Sequence, residues 1–71
     1  MSKPRIRNRV KHHRDQAGMT QLELAVKAGM TPPAVSEIEA VKREPVLFTA
    51  LKLARALETT VDDLFALEKE G

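Results

Sequence analysis

Apolar residues recur three and four positions apart along most of this 71-residue chain, a spacing that gathers them on one face of a helix. In the second such segment they are Leu24, Ala25 and Ala28, and in the third they are Val35 and Ile38. No stretch alternates apolar and polar residues as a strand does. The pattern predicts an all-α fold, a compact five-helix bundle in a single domain, residues 1–71. The predicted helices span about residues 5–17, 21–28, 32–39, 46–57 and 61–67.

Residues typical of helix ends separate these segments. Gly18 follows the first helix as a C-terminal capping glycine does. Thr20 and Glu23 form a T-x-x-E capping box at the start of the second helix, and Gly29 supplies the positive φ that a sharp corner needs. Thr31 is placed to cap the third helix. Two short helices joined by a glycine-centred corner are the sequence signature of a helix-turn-helix.

The other three helices complete the predicted core. Their inward residues are Ile6, Val10 and Ala17 in the first helix, Leu47, Ala50, Leu51, Ala54 and Leu57 in the fourth, and Val61, Leu64 and Phe65 in the fifth. Thr60, helped by Asp63, is expected to cap the fifth helix.

The charge is distributed unevenly, although the net charge is only +2. Residues 1–19 carry six basic side chains and one acidic, whereas residues 58–71 carry one basic and five acidic. Such polarity turns the basic end of a protein toward a polyanion. A solvated basic helix explains the same charges equally well.

Several classes of protein are disfavoured by composition. The chain has no cysteine, which excludes disulfides and thiolate metal sites and fits a reducing compartment. No apolar run approaches the length of a membrane span, so we expect no membrane partner. No catalytic or phosphate-binding motif is present, so we expect no enzyme and no cofactor. His12 and His13 are neighbours that do not face one point in a helix, which favours a surface pair over a metal site.

Short motifs over about residues 9–67 carry a resemblance to a known family. They are Arg9-Val10, Arg14, Thr20-Gln21-x-x-Leu24-Ala25, Ala28-Gly29-Met30-Thr31, Val35-Ser36, Ile38-Glu39, Lys42-Arg43, Pro45, residues 50–57 and Val61-Asp62-Asp63-Leu64-Phe65. Together they resemble the lambda-repressor-like (Cro/repressor, XRE-type) helix-turn-helix regulators. The resemblance implies a cytoplasmic domain, commonly dimeric, that binds double-stranded DNA and regulates transcription at a palindromic operator.

The resemblance also assigns roles to individual residues. The base-facing positions would be Thr31, Pro32, Pro33, Ala34, Ser36 and Glu37. The phosphate contacts would be Arg9, Gln21, Lys27, Lys42 and Arg43. Arg14 and Glu39 match a structural ion pair of the family.

The base-facing set departs from the usual one, because proline cannot donate a hydrogen bond to a base. In one interpretation Pro32, Pro33 and Ala34 press on thymine methyl groups while Glu37 accepts from cytosine N4. In the other the third helix makes no base contacts, and its prolines only stiffen its start.

Three further positions depart from the family pattern. Val41 stands where a residue with positive φ is usual; because valine resists that conformation, we expect a longer third helix or a different loop. Val46 replaces a capping serine, which leaves the fourth helix poorly capped. Glu58 replaces a glycine at the end of that helix, which implies strain or a shifted end.

Two hypotheses of function remain. The first is a sequence-specific transcription regulator that binds DNA as a homodimer. The second is a protein-interaction module on the same fold, such as a toxin-neutralising antitoxin or a regulator-binding adaptor. Leu22 and Val26 lie outside the inward face of their helix and are candidate protein contacts, as is the C-terminal segment with Phe65 and Leu67.

Overall fold

A computed structural model describes residues 5–68 of the chain. Its elements are, in order, β1 (Ile6–Asn8), α1 (Val10–Gln16), α2 (Gln21–Ala28), α3 (Pro32–Glu39), α4 (Leu47–Ala56), α5 (Val61–Leu64) and β2 (Phe65–Leu67). The five helices confirm the predicted helical bundle, to which the two strands add a small antiparallel sheet. The predicted domain, residues 1–71, extends beyond the described part at both ends.

The first and last predicted helices were too long. The segment predicted to begin the first helix is strand β1, and the segment predicted to end the fifth is strand β2, with Ile6 opposite Leu67 and Asn8 opposite Phe65. Asn8 explains why α1 starts late: its Oδ1 accepts the N–H of Val10 over 3.0 Å. A side chain that bonds the backbone ahead of it in this way competes with helix formation.

Asn8 also ties the small sheet to the bundle. Its Nδ2 donates to the carbonyl oxygen of Ile38 over 2.7 Å, and the next backbone N–H, that of Arg9, donates to Leu64 over 2.8 Å. The chain therefore passes from β1 into α1 between the end of α3 and the end of α5.

The core lies where all five helices meet. Its buried residues are Val10, Leu24, Ala25, Ala28, Val35, Ile38, Leu53, Ala54, Ala56 and Leu64. The predicted inward faces of α2 and α3 are thereby confirmed, and Val61 and Phe65 are half-buried against the cluster. The predictions for Ile6 and Ala17 were wrong, since both residues are exposed.

The predicted inward face of α4 was wrong only for two leucines. Ala50 is buried as predicted, and Leu57 is half-buried against the core. Leu47 and Leu51 are 70% and 51% exposed, whereas Leu53 and Ala56 are buried. Ala54 is buried as predicted. Apolar residues surround most of this helix, so helical spacing alone fits more than one rotation of it.

The predicted helix starts and glycine ends are confirmed. Thr20 and Glu23 form the capping box, and Thr31 accepts the N–H of Ala34. Gly18 and Gly29 have φ angles of 70° and 69°, the left-handed conformation that closes a helix. These local bonds set the lengths of α1, α2 and α3.

Thr60 caps α5 as predicted, by accepting the N–H of Asp63 over 3.1 Å. The contribution of the Asp63 side chain differs from the expected one, because its carboxylate accepts the hydroxyl of Thr59 over 3.0 Å.

Val41 corrects another prediction. It adopts the positive φ, 59°, and α3 ends at Glu39 without extension. The N–H of Lys42 donates to the carbonyl of Glu37 over 2.9 Å, which closes the helix as in a glycine-ended turn. Glu58 also has a positive φ, 54°, so the expected strain at the end of α4 is present. Val46 precedes α4 without a side-chain cap, as predicted.

Candidate nucleic-acid interface

The corner between α2 and α3 fixes the direction of α3. The N–H of Met30 donates to the carbonyl of Ala25 over 2.8 Å, and that of Gly29 donates to Val26 over 3.2 Å. Ala25 is fully buried, and its small side chain permits the close approach of the two helices. Val35 and Ile38 point into the core, so the opposite face of α3 is turned to solvent.

That solvent face carries the six residues that sequence analysis assigned to base contact. Thr31, Pro32, Pro33 and Ser36 are exposed, and Ala34 and Glu37 are half-buried. The two prolines occupy the first two positions of α3, where the missing N–H groups have no partner within the helix. The start of α3 is therefore a rigid, largely apolar surface, and Glu37 is its one ionisable group.

Glu37 is paired with Arg43 of the following loop. Nη2 of Arg43 donates to Oε1 and Oε2 of Glu37 over 3.1 and 3.3 Å. The structure thus joins a predicted base-facing residue to a predicted phosphate contact. Sequence analysis missed this pair, because the two residues lie six apart, beyond the reach of a continuous helix, and meet only through the turn at Val41.

A buried ion pair between Arg14 and Glu39 lies at the C-terminal end of α3. Nε of Arg14 donates to Oε2 of Glu39 over 2.7 Å, and Nη2 donates to Oε1 over 3.2 Å. Only 11% of the Arg14 side chain and 4% of the Glu39 side chain are exposed. The hydrogen bond to Glu39 raises the pKa of Arg14 above its ordinary value, so Arg14 carries its positive charge at any physiological pH. Nη1 of Arg14 also donates to the carbonyl of Met19 over 2.8 Å.

Gln21, the first residue of α2, joins the same network. Its Nε2 donates to Oε1 of Glu39 over 3.0 Å, which orients the side chain and leaves its Oε1 and the N-terminal N–H groups of α2 at the surface. Lys11 and Ser36 line the hollow beside it. Sequence analysis had not assigned Lys11 individually to phosphate; its place one turn before Arg14 is the signal that marks it.

The remaining predicted phosphate contacts lie at separate places. Lys27 is exposed in the last turn of α2, at the opposite end of that helix from Gln21. Lys42 and Arg43 are exposed in the loop after α3. Arg9 is exposed between β1 and α1. These residues lie in three separate parts of the chain, the segment before α1, the end of α2 and the loop after α3.

The described residues hold no other evident site. His12 and His13 contact each other edge to face, with ring centroids 5.6 Å apart, and residues 5–68 contain no group of three or more side chains suited to a metal ion. No helix within this range has the length and apolar character that crossing a membrane requires.

The bundle, the tight corner and the exposed second helix define a helix-turn-helix protein. A sequence profile of the helix-turn-helix family matches residues 10–64. An uncharacterized HTH-type transcriptional regulator of Methanothermobacter thermautotrophicus is 34% identical over 67 residues, 93% of this chain and 97% of the relative. Another, from Archaeoglobus fulgidus, is 37% identical over 65 residues, 92% of this chain and 93% of the relative. The chain belongs to this family, the lambda-repressor-like (XRE-type) DNA-binding transcription regulators.

Two solved structures are similar to about three quarters of the chain. The P22 c2 repressor, in complex with a synthetic operator, aligns with a TM-score of 0.73 and 28% identity, over 76% of this chain and 82% of the repressor chain. A chain of the SinR–SinI protein complex aligns with a TM-score of 0.74 and 30% identity, over 78% of this chain and 54% of that chain. They confirm the resemblance on which the sequence analysis relied.

Proposed function

We propose that this protein is a sequence-specific transcription regulator that binds duplex DNA as a homodimer at a palindromic operator and works in the cytoplasm. The observation that carries the proposal is the outward face of α3, where the six base-facing residues lie exposed or half-buried. A helix presented in this way fits the major groove. The family membership and the operator complex of the P22 repressor support the same proposal.

The chemistry of α3 suits an apolar and acceptor-based recognition of bases. Pro32, Pro33 and Ala34 offer carbon surfaces to thymine methyl groups, and the carboxylate of Glu37 accepts from cytosine N4. Because the prolines fix the backbone at the start of the helix, these contacts need little ordering on binding.

Phosphate contacts would hold α3 in the groove. Nε2 of Gln21 has a second N–H beside the one that it donates to Glu39, and this group can donate to a phosphate. The N–H groups at the start of α2 and the neighbouring Lys11 and Ser36 offer further donors. Lys27 flanks the start of α3, and Lys42 with Arg43 flanks its end.

In the proposed homodimer, the two copies contact each other through the outer faces of α4 and α5. Leu47 and Leu51 lie exposed one turn apart on α4, beside a shallow cleft whose lining includes Leu51, Arg55 and Asp62. Arg55 belongs to α4 and Asp62 to α5, so a two-fold axis at the cleft brings each group to its opposite in the other copy. A patch that is complementary to itself in this way suits a symmetric dimer.

Sedimentation of the pure protein tests this dimer. L51D should produce monomers. V26D makes the same charge change at an exposed position of α2 and should leave the dimer intact. R55D should weaken the dimer, and the double swap R55D/D62R should restore it. A wild-type monomer at all concentrations, or a swap that does not restore association, would contradict the assignment.

Salt dependence tests the DNA contacts. Ten basic groups in a dimer (Arg9, Lys11, Lys27, Lys42 and Arg43 of each copy) displace counterions from DNA. The affinity for duplex DNA should therefore fall by about 10³-fold or more between 50 and 200 mM salt. An affinity that does not change over this range would contradict the proposal.

A second function, recognition of a protein partner through the same fold, is favoured by one observation. Leu22 and Val26, one turn apart on α2, are 59% and 73% exposed, and the similar SinR chain was solved in a complex with SinI. The substitution E37Q distinguishes the two functions, because it should change base preference in a DNA-binding regulator and leave DNA behaviour unchanged in a protein-binding module.

A further inference from the structure

The Glu37–Arg43 pair places a negative charge on the face that is proposed to meet DNA. A lone carboxylate there is repelled by the phosphates on both sides of the groove. An exposed ion pair contributes little to stability, so stability alone gives no reason for this contact. Its position, between the helix that is proposed to enter the groove and the loop that is proposed to hold phosphate, points instead to a role in binding.

One backbone hydrogen bond and a forked side-chain contact hold the pair in place. The backbone carbonyl of Glu37 accepts the N–H of Lys42 over 2.9 Å, and the carboxylate of Glu37 accepts Nη2 of Arg43 over 3.1 and 3.3 Å. The loop is therefore fastened to Glu37 through both its backbone and its side chain. The turn that permits this arrangement is set by Val41, with its positive φ.

Arg43 has N–H donors that its contact with Glu37 does not use. The contacts with Glu37 use Nη2 alone, and within residues 5–68 the Nε–H and Nη1–H groups donate to no acceptor. A guanidinium carries five N–H donors in a rigid plane. It can therefore hold a carboxylate on one edge and a phosphate on another at the same time.

We propose that Arg43 is a positioning residue for Glu37, bridging the carboxylate to a DNA phosphate so that Glu37 is held at the base edge and selects cytosine. The inference rests on the proposed function, and it assigns Arg43 to base selection in addition to phosphate binding. The positive charge of Arg43 offsets the repulsion of Glu37 by the phosphates. Its planar shape fixes the direction in which the carboxylate points.

The test is selection from a pool of random duplex DNA, followed by sequencing, with wild type and five variants. E37Q replaces the carboxylate by a neutral amide that carries a donor beside its acceptor. R43Q removes the charge of Arg43, and R43K keeps the charge but removes the planar fork. The double variant E37Q/R43K tests whether the two residues act together. K42Q removes one positive charge from the same loop without touching the pair, and so serves as the matched control.

The cytosine preference at one position of the wild-type motif should fall about tenfold or more in E37Q, R43Q and R43K. E37Q/R43K should lose no more preference than E37Q alone, because the residues act as one unit. K42Q should weaken binding to all sequences by a similar factor and keep the preference. Circular dichroism of each variant confirms that the fold is retained.

The contrary result is also defined. If R43K and R43Q keep the cytosine preference and weaken binding uniformly as K42Q does, Arg43 is a phosphate contact only, and the inference is overturned. Failure of the proposed function is a separate outcome, because it is seen in wild type, which would then enrich no motif at all.

Discussion

The guanidinium of Arg14 contacts the carboxylate of Glu39 over 2.7 Å and thereby fastens the last turn of α1 to the last residue of α3. Gln21 adds the first residue of α2 to the same carboxylate. Three helices thus meet at one buried carboxylate, and this contact adds to the corner at Gly29 in joining α2 to α3. This network is the structural support of the surface that is proposed to bind DNA.

Removing one partner of this pair should strongly destabilise the fold. E39A leaves the charge of Arg14 buried and unpaired, and the expected cost is about 3–5 kcal/mol of unfolding free energy. E39Q keeps an acceptor for Arg14 and should cost less. The double variant R14M/E39M should be more stable than E39A, because neither charge remains. Urea unfolding followed by circular dichroism measures all three, and a cost below about 1 kcal/mol for E39A would contradict the assignment.

Val41 and Glu58 each hold a positive φ that glycine adopts without strain. V41G and E58G should each raise the unfolding free energy by about 1 kcal/mol, since relief of strain exceeds the added freedom of the unfolded chain. L22G, at an exposed position inside α2, should lower stability by a similar amount. Thermal unfolding compares the three variants, and destabilisation by V41G would show that valine is unstrained there.

The start of α4 lacks a side-chain cap at Val46. V46S offers a hydroxyl to the N–H groups of the first turn and should stabilise the protein by about 1 kcal/mol. V46A, which shortens the side chain without adding an acceptor, is the control. Equal midpoints of chemical unfolding for V46S and V46A would mean that the hydroxyl makes no cap.

The capping box makes part of the stability depend on pH. The backbone N–H of Thr20, followed by its hydroxyl, lowers the pKa of Glu23 below its usual 4.5. A lowered folded-state pKa gives stability that is present above the unfolded pKa and is lost as the pH falls through the folded one. The loss therefore occurs below about pH 4.5.

The substitution E23Q tests this dependence, because glutamine keeps an acceptor for the capping box but does not titrate. Melting temperatures measured from pH 6 to pH 3 should fall less steeply in E23Q than in wild type. E44Q removes a loop carboxylate that caps no helix. Its melting temperature should depend on pH more nearly as that of wild type does than that of E23Q. Equal slopes for E23Q and wild type would contradict a role of Glu23 in acid sensitivity.

The parts of the fold that sequence analysis predicted correctly are those set by neighbouring residues. The cap at Thr20 and the corner at Gly29 follow from contacts within five residues. The two strands could not be predicted from neighbouring residues. Each has only three residues, and the two lie at opposite ends of the chain and pair with each other. Asn8, which ends β1 and starts α1, acts through bonds to Val10 and distant Ile38.

Two other features also required the structure. The rotation of α4 was ambiguous because leucines lie on several of its sides, and packing selected Leu53 over Leu51 for the core. The proximity of Glu37 and Arg43 depends on Val41 adopting a conformation that valine ordinarily avoids. Local preference leaves the rotation of α4 open, whereas at Val41 it is overridden by the rest of the fold.

The central claim is that α3 recognises a DNA sequence, and selection from random duplex DNA by the wild-type protein at near-physiological salt tests it most directly. The account predicts an enriched motif with two-fold symmetry, and a spacing between half-sites that matches a dimer with α3 of each copy in the major groove. A folded protein that enriches no motif would contradict the claim and direct attention to a protein partner at Leu22 and Val26.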